Sequence, residues 1–220
     1  VNTTTTSMRR WLSSSARWQA RQRTDEYVLK AHRDGYRSRA AYKLLQIDRR
    51  VKPKLLAKGR VAVELGAAPG SWSQVLVEKG MRVVAVDLLP SELLAGCNFV
   101  RGDFTHATVQ QQVLQLLDGR QADLLLSDMS PNRSGNRSLD EARLGDLIEQ
   151  SLGFARKALR PGGSFVCKVL QGADLQPLLQ HTRRFFGTGA LIKPAASRDA
   201  SAELYLVARR YDPQAFDSIL

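Results

Sequence analysis

From residue 60 onward, short apolar runs alternate with longer stretches whose apolar positions recur at helical spacing. That alternation predicts a mostly parallel sheet covered by helices on both faces. Runs at 60–65, 82–87, 98–100, 122–127 and 164–169 read as five strands, and 72–79, 108–117, 139–159 and 175–186 as helices between them. Pro161-Gly162-Gly163 reads as a turn between the long helix and the fifth strand. Two further strands, 189–193 and 203–208, are joined by a polar loop at 194–202, and 25–50 reads as one or two basic helices packed before the sheet. The expected architecture is α/β and Rossmann-like, a seven-stranded sheet with an antiparallel last strand. Residues 1–24 are expected to be a flexible basic tail, 25–212 a single domain (25–58 helical, 59–212 the core), and 213–220 a C-terminal tail.

Composition narrows the class. At 220 residues the chain has the size of one domain with one well-buried core. It is 43% hydrophobic, yet no apolar run approaches the ~18 residues of a membrane span, so a soluble globular protein with no membrane partner is expected. Cys97 and Cys167 are too few for a disulfide framework, and His32, His106 and His181 are isolated, so no metal site is expected.

The charge is polarised. The formal net charge is +12; residues 1–60 hold 16 Lys and Arg against 4 Asp and Glu, whereas the rest holds 17 of each sign. A one-sided basic field concentrates a polyanion near it, and binding through phosphates weakens steeply with salt. Arg37 and Arg39, within the basic stretch, are expected RNA contacts. Arg9, Arg10, Arg17, Arg21 and Arg23 lie in a Ser/Thr-rich stretch poor in acids, which also suits an organellar presequence. A bacterial-type cytoplasmic location therefore stands beside a mitochondrial one.

A Gly-rich turn, 64–70 (Glu-Leu-Gly-Ala-Ala-Pro-Gly), follows the first strand directly. Gly66 and Gly70 there allow backbone to approach a ligand at a helix N-terminus. The spacing is neither the G-x-G-x-x-G of dinucleotide binders nor a phosphate-binding P-loop. Asp87 ends the second strand, where a carboxylate can accept from ribose hydroxyls, and Asp103 follows the third, where an adenine amino group can be read. Trp72 is either a core aromatic or a wall of the same pocket. The combination points to a nucleoside cofactor.

In open α/β sheets ligands lie beyond the carboxyl ends of the strands. Asp128 closes the fourth strand, Lys168 lies near the end of the fifth, and Glu203 begins the last. If that last strand runs antiparallel, its start shares the edge with the other strands' ends. Lys43 reaches the same opening from the basic helices. An amine in a strand covered on both faces is costly unless paired, and Asp128 and Glu203 are candidate partners. Cys167 precedes Lys168 and must face the other side of the sheet, which argues against a thiol nucleophile.

Six segments carry a resemblance: 38–44 (Ser-Arg-Ala-Ala-Tyr-Lys-Leu), 65–74 (Leu-Gly-Ala-Ala-Pro-Gly-Ser-Trp-Ser-Gln), 87–90 (Asp-Leu-Leu-Pro), 127–132 (Ser-Asp-Met-Ser-Pro-Asn), 163–169 (Gly-Ser-Phe-Val-Cys-Lys-Val), and 194–205, which holds Ser197, Arg198 and Glu203. Together they resemble the FtsJ/RrmJ (RlmE) family of S-adenosylmethionine-dependent ribosomal RNA 2′-O-methyltransferases. The resemblance implies a Lys-Asp-Lys-Glu tetrad at Lys43, Asp128, Lys168 and Glu203. It puts cofactor contacts at Gly70, Trp72, Asp87, Asp103 and Asp128. It also implies methylation of a uridine ribose in the A loop of large-subunit ribosomal RNA, on the assembled subunit, by a monomer needing no metal. Ser71 departs from the Gly usual in bacterial members. Two other readings remain: a non-catalytic RNA-binding or ribosome-assembly factor, and a base methyltransferase.

Overall fold

The computed structural model describes residues 24–92, 94–132, 134–171, 175–198 and 201–217. The arginines at 9, 10, 17, 21 and 23 lie outside the described residues. Helices α1 (Glu26–Arg33) and α2 (Ala40–Arg50) precede the sheet. Then follow β1 (Val61–Leu65), α3 (Ser71–Glu78), β2 (Arg82–Asp87), β3 (Cys97–Arg101), α4 (Ala107–Leu116) and β4 (Ala122–Ser127). The second half is α5 (Arg137–Ala158), β5 (Leu159–Leu170), α6 (Leu175–Phe185), β6 (Phe186–Ile192), β7 (Glu203–Tyr211) and the short α7 (Gln214–Asp217).

The seven strands form one sheet in the order β3-β2-β1-β4-β5-β7-β6. Strands β1 to β5 pair in parallel, and β7 runs antiparallel between β5 and β6. The order reverses at β1 and β4, so a crevice opens beyond their carboxyl ends. Period-two alternation divides the apolar side chains between the two faces. Val63, Leu65, Leu125, Phe165 and Cys167 join a core with residues of α4, α5 and α6. Ala62, Leu124, Leu126 and Val166 face the other way, onto Leu44 and Ile47 of α2 and Trp72 and Val75 of α3. Because both faces are covered, the central strands read in the sequence as continuous apolar runs.

Local chemistry sets the ends of the elements. Asp25 caps α1, its Oδ1 accepting from Tyr27 N at 3.1 Å and Val28 N at 3.3 Å. Asn136 does the same for α5, accepting from Leu139 N at 3.3 Å. The structure departs from the sequence reading at Pro161-Gly162-Gly163. These residues lie inside β5 as a bulge: the pairing jumps from Ala122↔Leu159 to Leu124↔Ser164. Leu159, only 1% exposed, leaves α5 in extended conformation and enters the sheet before the Pro-Gly-Gly is reached. Gly162 absorbs the extra length at φ 75°. Strand β6 likewise begins earlier than expected, because buried Phe186 pairs with Tyr211. Among the described residues no helix is long and apolar enough to cross a membrane.

Candidate active site

The cofactor side is built by the turn after β1. Gly66 N and Ala67 N both donate to Val86 O, at 2.9 and 3.0 Å, which ties the turn to β2. A Cβ on Gly66 would lie 2.7 Å from Met129 N, so the absence of a side chain lets the segment after β4 close over the turn. Asp87 holds both sides of this region: Oδ2 accepts from Ala68 N and Oδ1 from Leu89 N, each at 2.8 Å. Asp103 Oδ1 accepts from Thr105 Oγ1 at 2.7 Å and Thr105 N at 2.9 Å, and these bonds hold its carboxyl below the usual carboxylate range.

Gly66, Asp87, Asp103 and Asp128 line one crevice of about 470 Å³, with Leu88, Leu89, Phe104 and Met129 as its apolar walls. That volume and mixed lining suit a ligand of nucleoside size. Gly70 and Trp72 stand apart from it. Gly70 caps α3 at φ 100°. Trp72 is 2% exposed, donates through Nε1 to Ala40 O at 2.8 Å, and borders a cavity of about 20 Å³ shared with Glu64 and Asp128. The indole joins α2 to α3 in the core, and the cavity it borders shares Gly66, Ala68 and Asp128 with the crevice.

The four tetrad positions meet at the same edge of the sheet as two ion pairs. Lys43 Nζ lies 2.7 Å from Glu203 Oε2. Lys168 Nζ donates to Asp128 O at 2.6 Å and lies 3.3 Å from Asp128 Oδ1. Antiparallel pairing of Leu170 with Glu203 brings the start of β7 beside the end of β5. Lys168 is 6% exposed and Cys167 is fully buried on the opposite face, where burial pushes its thiol pKa up.

Two participants were not singled out from the sequence. Tyr205, opposite Lys168 in the ladder and fully buried, donates from its hydroxyl to Asp128 Oδ1 at 2.8 Å. Its ring lies 5.9 Å from Lys43 Nζ and 5.6 Å from the Trp72 ring, so one side chain touches both ion pairs. Burial, then the Asp128 charge, keeps the phenol far above its ordinary pKa, hence a donor. Its signal was present: residues two apart in a strand share a face, and Tyr205 is two from Glu203.

The second is Glu64, 1% exposed and hydrogen-bonded by Ser73 Oγ. Burial pushes its carboxyl up to about 8; the Ser73 bond opposes this, and Asp128 and Asp87 reinforce it. A carboxyl raised in the fold stabilises the fold while protonated, and that stability is lost as pH rises from the unfolded value, near 4.5, to about 8. Glu64→Gln is therefore expected to flatten the decline of Tm across that window. Thermal melts at matched ionic strength measure this, and an unchanged slope contradicts it.

The expected RNA contacts Arg37 and Arg39 have internal partners. Arg39 binds Asp25 and Ala196 O, and its side chain is 15% exposed. Arg37, 18% exposed, binds Pro69 O and the turn after β2. Each guanidinium is engaged within the protein while its side chain stays partly exposed. Charge counting along a sequence cannot reveal this, because the acceptors are backbone carbonyls and distant acids.

With that geometry in place, the sequence matches the FtsJ-like methyltransferase family over residues 36–211. The chain belongs to that family. A protein of Chromobacterium violaceum named ribosomal RNA large subunit methyltransferase E is 48% identical over 89% of this chain and 96% of its own length. The protein of that name from Neisseria meningitidis is 47% identical over the same shares. Among solved structures, a ribosomal RNA methyltransferase of Plasmodium falciparum superposes with TM-score 0.71 at 25% identity, covering 80% of this chain and 98% of that one. A Burkholderia thailandensis N1-methyltransferase solved with S-adenosylhomocysteine shares the fold, at TM-score 0.53 and 18% identity over 92% of this chain and 86% of that one.

This member of the FtsJ-like family is an S-adenosylmethionine-dependent methyltransferase, and the crevice suits that cofactor in size and lining. Asp87→Ala is expected to raise the cofactor KM at least about tenfold, because the carboxylate both faces the crevice and holds the turn through Ala68 N. Steady-state kinetics at varied cofactor check it; an unchanged KM contradicts the assignment. Among the described residues no group of three or more His, Cys, Asp or Glu is placed to hold a metal ion.

Proposed function

We propose that the protein methylates a ribose 2′-hydroxyl of large-subunit ribosomal RNA, at a uridine of the A loop. The observation that carries this reading is the pairing of Lys168 with Asp128 and of Lys43 with Glu203, linked by Tyr205, beside the cofactor crevice. The names of the relatives support ribosomal RNA of the large subunit as substrate. The resemblance at the tetrad supports the ribose position and the uridine.

Bound S-adenosylmethionine supplies an electrophilic methyl group. The chain's task is then to hold an alcohol oxygen in line and to manage its proton. Lys168 Nζ has two of its hydrogen directions turned to Asp128 O and Oδ1, which fixes the amine in one place. From there it steers the substrate oxygen, stabilising the charge that develops there as an ammonium or taking the proton as a free amine. Asp128 and Glu203 hold the two amines in place, and the Tyr205 hydroxyl keeps the Asp128 carboxylate oriented. Fixed alignment of this kind is worth up to ~7–11 kcal/mol of barrier.

RNA is held on the helical side of the entrance. Arg33 of α1 and Arg49 of α2 are exposed and supply phosphate contacts in this reading. The protein acts as a monomer on the assembled subunit, in the cytoplasm. Mapping ribose methylation in ribosomal RNA from cells lacking the protein tests the reading. Loss of one A-loop 2′-O-methyl mark supports it, and an unchanged ribose map with a lost base methyl removes it.

A further inference from the structure

The residues that join α1 to α2 cross the start of α3 and the Gly-rich turn. Gln74 at α3 grips this strap from both ends: its Nε2 donates to Gly35 O at 3.1 Å and its Oε1 accepts from Arg37 N at 2.8 Å. Tyr36 OH donates to Glu78 Oε2 at 2.8 Å, and Ser38 Oγ lies 2.7 Å from Ser71 Oγ. The strap fixes where the Arg37 side chain begins.

That side chain ends on the residues that follow two walls of the cofactor crevice, Ala68 on one side and Leu88 and Leu89 on the other. Arg37 Nη1 donates to Pro69 O of the Gly-rich turn at 3.0 Å. The same nitrogen donates to Ser91 Oγ at 3.2 Å and Glu92 O at 3.1 Å in the turn after β2, and Nη2 lies 3.5 Å from the Glu92 carboxylate. Leu88 and Leu89, which line the crevice just before those acceptors, are 61% and 64% exposed, so apolar packing does little to hold them. Gly70 makes room for the clasp: a Cβ there would lie 2.3 Å from Arg37 Nη1.

We propose that Arg37 is a positioning residue for the cofactor: it fastens the Gly-rich turn to the turn after β2 and so sets the width of the crevice between them. Its positive charge serves two carbonyls, a hydroxyl and the exposed carboxylate of Glu92, not an RNA phosphate. Gly70, singled out as a direct cofactor contact, acts through Arg37 by leaving space for its guanidinium. The inference rests on the crevice being the cofactor site.

Three variants test it: Arg37→Ala, Arg37→Lys and Asp87→Ala, each titrated with S-adenosylhomocysteine by calorimetry and with an A-loop RNA fragment at several salt concentrations. Arg37→Ala is expected to raise the cofactor Kd at least about tenfold, with kcat at saturating cofactor within about threefold of wild type. RNA affinity and its salt slope stay unchanged. Arg37→Lys keeps stem and charge but loses the planar fan of donors, so it is expected to raise the cofactor Kd severalfold, again with no change toward RNA. Should Arg37→Ala fail to fold, the lysine variant carries the test.

The inference is overturned if both variants keep the wild-type cofactor Kd. It is equally overturned if Arg37→Ala weakens RNA and lowers the salt slope by about one while Arg37→Lys behaves as wild type, the pattern of a phosphate contact. Lower Tm with unchanged cofactor Kd in the folded protein marks a purely structural role and overturns it too. Asp87→Ala separates this failure from a wider one. If Asp87→Ala weakens the cofactor while the Arg37 variants do not, only the clasp is wrong; if Asp87→Ala is also silent, the crevice assignment falls with it.

Discussion

Lys168→Ala is expected to lower kcat by at least about 10³-fold while S-adenosylhomocysteine binds within about twofold of wild type. The asymmetry follows from position. Lys168 is not among the residues lining the cofactor crevice, whereas Asp128, which holds it, is. Its amine is fixed by two contacts near the carboxyl end of β5, on the face that α2 covers. Removing it leaves the Asp128 carboxylate with the Tyr205 hydroxyl, so the local packing persists and the cofactor walls stay in place. Single-turnover assays with labelled cofactor, paired with calorimetry, measure both quantities. Full turnover by the variant refutes a catalytic part for Lys168.

Asp128→Ala is expected to be the other severe change, with a mixed signature. The carboxylate accepts from Tyr205 OH at 2.8 Å, pairs with Lys168 at 3.3 Å and faces the crevice. Its loss is expected to lower kcat about 10²-fold and raise the cofactor Kd about tenfold. Stability falls as well: a buried hydroxyl left without an acceptor costs about 1–3 kcal/mol, or several degrees of Tm in a domain of this size. Adding Tyr205→Phe removes the stranded hydroxyl, so the double variant is expected to recover Tm but not transfer. Recovery of transfer by the double variant would mean that Asp128 acts only by satisfying Tyr205.

The parts of the fold that the sequence made legible are those where one physical constraint dominates. Strands β2 and β4 are covered on both faces, so their apolar cores, 83–86 and 124–126, are unbroken and leave no competing reading. Lys168 was legible because an amine in such a strand demands a partner, and Asp128 and Glu203 because topology alone brings strand ends of opposite direction to one edge. The Pro-Gly-Gly of β5 was read as a turn because local propensity favours one, whereas burial of Leu159 draws the strand past it. Tertiary packing overrode local preference there.

The basic segment was legible only in sum. Its excess charge marks a polyanion partner, but the sequence does not sort internal from external cations. Arg39 is matched to Asp25, which also takes Arg198 at 3.0 Å from the loop before β7, a contact across most of the chain. Arg37 meets backbone carbonyls that carry no signature in the composition. Glu64 was hidden for the opposite reason: it is one polar residue inside the apolar run 60–65, and only the cover of α3 and Ser73 makes it a buried, protonatable carboxyl.

The most direct test is the position of the transferred methyl. Purified protein is incubated with large ribosomal subunits and labelled S-adenosylmethionine, and the ribosomal RNA is digested to nucleosides and analysed by mass spectrometry. The proposed function predicts label in a 2′-O-methyl uridine, and the arrangement of Lys43, Asp128, Lys168 and Glu203 predicts none when Lys168→Ala replaces the wild type. Label on a base with an unmodified ribose contradicts it.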